Sequence, residues 1–409
     1  MFNRLLSVFY GLSGEQRAGM LVGLLLVENN IPMLPNVGSA YYALMLAALL
    51  YVLPKERISV VSLPMWGLYA VCLLSVWLND VAAIFQPYPR FIAFFMITLL
   101  VSPTISNDVF TRFRFRVFTT IVKLLRYVIF ASVIYAMMGG GYGKRNSYFQ
   151  GITNQSMMLG PFAAMCLFYC VYCLILYAKE RRKMWIHGIL TLCSLFCLLQ
   201  AGSRTAFLGA LISVAVFLAI YFHNELGRYL KVVGAVCVVL VLSFPVWGRY
   251  MDKLEEKNQG NMELNTSSRQ SHWEQRLIEF RSSPAWGIGF SAVATDAQSG
   301  SSFSADGKVE TGSSWLNILS MTGLFGFVTF LSVWIIAIVK IWRRWNEIPL
   351  LSGFLMSMLC FWSMHMMAEG YIYAGGSSLA FCVWLLLGVV YGVANNKELA
   401  YELCQKLAE

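Results

Sequence analysis

The sequence predicts an all-α polytopic membrane protein of about twelve transmembrane helices, with one large external loop between helices nine and ten. Three observations lead there. Of 409 residues, 58% are hydrophobic and 13% charged, where a soluble domain carries about 25% charged residues. The apolar residues fall in blocks of helix length, roughly 20 residues, enough to cross a hydrocarbon core. The blocks lack the ten-residue alternation of a β-barrel.

In order, the predicted spans are 17–34, 38–53, 58–79, 88–102, 117–138, 156–178, 184–201, 204–222, 231–247, 313–340, 349–368 and 374–394. The first is followed by many more and has no small-residue cleavage site after it, so it reads as a retained span. Lysine and arginine in the short loops set the orientation. "PKER" (54–57), "TRFRFR" (111–116), "KERRK" (179–183) and "KIWRRWNE" (340–347) are densely basic, whereas the alternate loops are not. Both termini are therefore expected in the cytoplasm and the loop 248–312 outside. The expected division is 1–247 (spans one to nine), 248–312 (external or periplasmic loop subdomain), 313–394 (spans ten to twelve) and 395–409 (cytoplasmic tail). The net charge of +10 is read as this topological signal rather than as a nucleic-acid surface. None of the cysteines lies in the loops placed outside, so a disulfide framework or zinc site is not expected.

Within the loop, Thr266, Ser267 or Ser268 is placed to cap a helix through "RQSHWEQRLIEF". The stretch "SAVATDAQSGSSFSADGKVETGSS" is rich in Ser, Gly and Ala and reads as flexible.

Several polar residues fit poorly in lipid, and they gather on the expected outer side. Arg204 stands in "AGSRTAFLG", at the N-terminus of the eighth span, with Ser203 as a plausible N-cap. A helix N-terminus offers unpaired N–H groups and partial positive charge. A cation there opposes the helix dipole but suits a phosphate, which arginine grips with two parallel bonds. The alternative is an interfacial arginine that snorkels. Arg269, Arg276 and Arg281 follow in the loop with His272; on a helix, 269, 272, 273 and 276 share one face. A solvated amphipathic helix, with Glu274 and Glu279, is the other reading. His365 and Glu369 sit four apart near the outer end of span eleven. As ionisable groups in a span they are functional candidates, placed to accept a proton, or else a packing pair. Glu28, Asn29, Asn30, Asp80 and Arg90 read as ordinary interfacial polarity. Two ligands are too few for a metal.

The order of these segments resembles the O-antigen ligase and polysaccharide polymerase superfamily of bacterial membrane glycosyltransferases. "GSRTAFLGALISVAVFLAIYF" has the "SR" that opens a span. Arg269, Trp273, Pro284, Gly287 and Gly289 match the loop pattern of Arg, three residues, Trp and then P-x-x-G-x-G. Gly323 and Gly326 match a later G-x-x-G, and "FQGITNQSMMLG" looks like the segment the family carries upstream. The resemblance covers about 150–392. The ligase branch carries His-Asn before the Leu of its Leu…G-x-x-G segment; here those positions are Gly312 and Ser313, which favours a polymerase.

The resemblance implies a GT-C-like bundle and a metal-independent, cofactor-free inverting glycosyltransferase. Its donor would be an undecaprenyl-diphosphate-linked glycan, used at the external face of the membrane, with a glycan acceptor, membrane lipid and a chain-length regulator as partners and no nucleic acid. The family's phosphate-contacting arginines carry over onto Arg204 and Arg269, with Ser203 and Arg276 beside them. Glu369, His365 and His272 are the candidate bases. Ligation of the glycan en bloc to lipid A-core or protein is the alternative. A lipid-linked glycan flippase is the rival from another class, but it would place its polar groups near mid-membrane.

Overall fold

The computed structural model describes residues 10–35, 37–57, 59–143, 148–242, 268–294 and 312–408. Among them the helices are α1 (Gly14–Glu28), α2 (Ala40–Val52), α3 (Leu63–Leu78), α4 (Pro87–Val101), α5 (Asp108–Met137), α6 (Ser156–Leu176), α7 (Arg181–Gln200), α8 (Arg204–Tyr221), α9 (Leu226–Leu242), α10 (Ser268–Ser282), α11 (Ser314–Trp342), α12 (Pro349–Ala368), α13 (Ser378–Asn395) and α14 (Lys397–Ala408). A two-residue antiparallel pair, β1 (Ser59–Val60) with β2 (Ile105–Ser106), ties two loops at the basic end of the bundle.

Each of the twelve predicted spans meets a helix, but eight are long and apolar enough to cross a membrane: α4 with its leading turn, α5, α6, α7, α8, α11, α12 and α13. Of the other four, α1, α2 and α3 have 15, 13 and 16 residues, and 17 residues of α9 fall within the described part of the chain. At 1.5 Å per residue α1, α2 and α3 reach about 20–24 Å, short of a core of roughly 30 Å. The chain is thus an all-α polytopic membrane protein, with eight helices among the described residues that are long and apolar enough to cross a membrane. Its lipid-facing surface is apolar: Leu192, Leu208, Ile212, Leu324, Val328 and Ile335 are all exposed.

Small residues set the helix contacts, as expected where lipid removes the hydrophobic drive between helices. Gly19 and Gly23, one turn apart on α1, lie against α5; a Cβ at Gly19 would meet the Phe113 carbonyl at 2.7 Å and one at Gly23 would meet Thr120 at 2.9 Å. On α12, a Cβ at Gly353 would come within 2.7 Å of the Phe217 ring, so α8 and α12 run close along their length. Buried nearly throughout, α13 forms the centre of the bundle.

Two elements differ from expectation at the basic end. Span five was expected from 117, but α5 starts at Asp108, capped by Asn107, whose Oδ1 accepts from the Phe110 N–H at 2.8 Å. Its 30 residues exceed the membrane core, so the basic first turns form part of the helix rather than a loop. Within them Arg114 is 1% exposed and closes the C-terminus of α4: Nε donates to Leu100 O at 3.0 Å and Nη2 to Ile105 O at 2.9 Å. The expected tail is the helix α14, which buries Leu399, Leu403 and Leu407. Its last carbonyls accept from Tyr169, at 2.9 Å, and from Tyr177.

Candidate functional site

The site end of the bundle is the end at which α8 begins. Gly202 takes a left-handed φ of +68, and a Cβ there would meet the Tyr148 ring at 2.5 Å. The chain turns on this glycine into Ser203, whose Oγ accepts from the Ala206 N–H at 3.3 Å and caps the helix. Arg204 is the first helical residue and is exposed. Gly160 of α6 brings its backbone against Ala206 and Ser203, so the start of α8 is held firmly from one side. The expected cap and the expected cationic N-terminus both occur.

α12 runs antiparallel beside α8. Gly209 faces Phe361 and Met364. Arg204 lies five residues before Gly209 and Glu369 five residues after Met364, each about 7.5 Å further along its helix. The two therefore emerge at the same level on adjacent helices. Glu369 is not inside the helix: α12 ends at Ala368, and Glu369 is its cap in extended conformation. Its carbonyl accepts from Ser314 N–H at 2.9 Å and Ser314 Oγ at 2.7 Å. The His365 ring is 1% exposed and stacks on Phe361, and its Nδ1 lies 3.0 Å from the Tyr371 hydroxyl. Burial and the nearby Glu369 charge push the Tyr371 phenol up, so it stays protonated.

The described part of the large loop is built into the bundle. α10 starts at Ser268, one of the three expected caps; Thr266 and Ser267 lie outside the described residues, as does the side chain of Arg269. Trp273 Nε1 donates to Gly312 O at 3.1 Å. Gly312 has φ +67, and a Cβ there would stand 2.9 Å from the His272 Cβ. Gly312 leads into Ser313, which caps α11, and into Ser314, which bonds Glu369. His272 and Glu369 are thereby joined through three consecutive residues.

Beyond α10, the turn Pro284–Gly289 enters a break in α11. Gly323 has φ 64 and ψ −164, so the helix expected to be continuous is interrupted there. The interruption is filled by the turn. Ile288 N–H donates to Ser320 O at 2.9 Å and Gly289 N–H to Met321 O at 3.2 Å; Leu324 N–H donates to Pro284 O at 2.8 Å. Ser75 Oγ reaches Met321 O at 2.6 Å and Asn79 Nδ2 reaches Gly287 O at 3.0 Å from α3. A broken helix inside a membrane protein requires such backbone partners. Both glycines are needed: a Cβ at Gly287 would stand 2.4 Å from Met321 C, and one at Gly323 2.3 Å from Ala285 O. Phe290 then buries against Phe91, Phe94 and Tyr373. Arg90, read from sequence as ordinary interfacial polarity, donates from Nη1 to Ser291 Oγ at 2.9 Å.

Arg276 is 1% exposed and faces inward, bonded from Nη2 to Glu279 Oε1 at 2.7 Å; Glu279 is 2% exposed. The solvated face suggested for Glu279 does not occur. Burial pushes the Glu279 carboxyl up, against the pull of Arg276, the Ala294 N–H and the Ser320 hydroxyl. Burial likewise lowers the Arg276 guanidinium, against the Glu279 charge. Arg204, Glu369 and His272 thus lie at the same end of the bundle, with His365 deeper and Arg276 turned inward onto Glu279 of its own helix. Sequence reading missed Ser314 and Tyr371, because their partners are far along the chain, and Asn317, a polar residue in a long apolar run.

Residues 189–331 match the protein-family model described as O-Antigen ligase. No curated protein matches the chain. The matched segment runs from α7 into α11. It holds Arg204, Arg269, His272, Arg276, the Pro284–Gly289 turn and its seat at Gly323–Gly326, and stops short of His365 and Glu369. Over this segment, about a third of its length, the chain is similar to the O-antigen ligase family, which supports the resemblance to the O-antigen ligase and polymerase superfamily.

Proposed function

We propose that the protein polymerises undecaprenyl-diphosphate-linked repeat units, for an O-antigen, capsule or exopolysaccharide, at the external face of the cytoplasmic membrane. The observation that carries this reading is the capped, arginine-led N-terminus of α8, level with Glu369. The diphosphate of the donor lies against Arg204, the first-turn N–H groups of α8 and Arg269. An acceptor hydroxyl oxygen attacks C1 of the donor sugar from the opposite face and the C1–O bond to the diphosphate breaks. The bonding pair leaves on the diphosphate, where the cations stabilise it, and C1 inverts. The hydroxyl proton passes to Glu369 or His272. His365, shut in by Phe361 and Tyr371, is the weaker candidate for direct contact. The donor leaves as undecaprenyl diphosphate, and the acceptor gains one repeat.

Gly312 supports a polymerase over a ligase. It stands where the ligase branch carries histidine, its φ is left-handed, and His272 already lies against it. A histidine at 312 would strain the backbone and collide with α10. The family description itself favours the second reading, transfer en bloc to lipid A-core or protein. Incubating the purified protein with one defined undecaprenyl-diphosphate oligosaccharide separates them. A ladder of repeats without any other acceptor supports polymerisation; transfer of a single block, only when lipid A-core or a protein acceptor is added, supports ligation.

A further inference from the structure

Arg276 and Glu279 are the most deeply buried ion pair among the described residues, formed within α10 where that helix packs on the broken helix α11. The guanidinium uses Nη2 on Glu279 Oε1; its Nε and Nη1, and Oε2 of Glu279, have no partner among the described residues. Oε1 also accepts from Ala294 N–H at 2.8 Å, beyond the Pro284–Gly289 turn. Ser320 donates its hydroxyl to Asn317 O at 3.3 Å, and Ser320 O is the acceptor for Ile288 N–H. Asn317, one turn earlier on α11, is 5% exposed with Oδ1 unpartnered. A buried pair that leaves so much hydrogen-bonding capacity unspent is weak evidence for stability, since apolar residues of similar size often pack as well. What it does specify is one arrangement: the carboxylate ties α10 to Ala294 at the exit of the turn, and the turn's own backbone is bonded into the break of α11.

We propose that Arg276 and Glu279 are positioning residues: a buried lock that fixes α10, and with it Arg269 and His272, on α11 in the register that catalysis needs. Arg276 then acts through the fold rather than by gripping the donor. The inference rests on the proposed glycosyl transfer for its kinetic arm and on the fold alone for its structural arm.

The test uses the full-length protein in lipid nanodiscs, with hydrogen exchange over 269–283 and kcat and KM for an undecaprenyl-diphosphate repeat unit. Glu279→Gln is expected to speed exchange over 269–283 at least tenfold and lower kcat at least tenfold, with KM changed less than threefold. Arg276→Met with Glu279→Leu is expected to return slow exchange and to raise kcat at least fivefold over the single variant. Faster exchange with unchanged kcat, or a rise in KM alone, overturns the lock. So does a double variant with slow exchange and a kcat still as low as that of Arg276→Ala, because Arg276 would then be touching substrate. If the wild-type protein transfers no sugar, the function fails separately, and unchanged exchange in Glu279→Gln still overturns the lock.

Discussion

Arg204 opens α8 beside a working Ser203 cap, and this pair was legible in sequence because both depend on neighbours along the chain. Arg204→Ala is expected to lower chain growth by about 10²–10³, the scale of removing one preorganised donor from a developing anion. Arg204→Lys keeps the charge but loses the planar fork, and should restore only part of that; a ladder assay on purified variants measures both. Ser203→Ala should cost about 1 kcal/mol of stability, read as a lower thermal midpoint, with chain growth falling far less than in Arg204→Ala. The partners of His365 and Glu369 were not legible. Four-residue spacing suggested a pair on one helical face, but α12 stops at Ala368, and Ser314 and Tyr371, distant in sequence or beyond the helix end, bond these two residues. The Arg276 and Glu279 spacing fitted an ion pair equally on a wet or a buried face, so the sequence left their burial open.

At the scale of elements, the twelve hydrophobic blocks each met a helix, but misjudged where several begin and whether they are whole. The early start of α5 was hidden because its arginines resemble a topological loop, although Arg114 is buried. The break in α11 was hidden because "SMTGLFGF" reads as an apolar helix with two tolerated glycines; only the turn that enters it reveals the interruption. The P-x-x-G-x-G and G-x-x-G segments, noted from sequence as separate signatures, are two halves of one joint. Gly287→Ala and Gly323→Ala should each destabilise the protein. Left-handed backbone costs about 1–3 kcal/mol for a residue with a side chain, and the added carbon would stand 2.4 and 2.3 Å from backbone atoms. Thermal unfolding in detergent should show both variants well below wild type, whereas Gly188→Ala, where a Cβ meets nothing within 4 Å, should match it.

At the scale of the whole molecule, Arg204, Glu369 and His272, which sequence reading placed on one side, lie at one end of the bundle. The basic clusters at Lys55, Arg112 and Lys183 take the other end. Cysteines introduced at exposed positions beside these groups should therefore fall into two labelling classes in intact cells. Position 274 should react with a membrane-impermeant thiol reagent from outside, and position 182 only after the membrane is opened; the reverse pattern would invert the topology. The most direct measurement is equilibrium binding of undecaprenyl diphosphate to the purified protein in nanodiscs, comparing wild type with Arg204→Gln. A cationic cradle at the start of α8 predicts at least tenfold weaker binding in the variant and weaker binding of the monophosphate to wild type. Equal affinity in both proteins would contradict it.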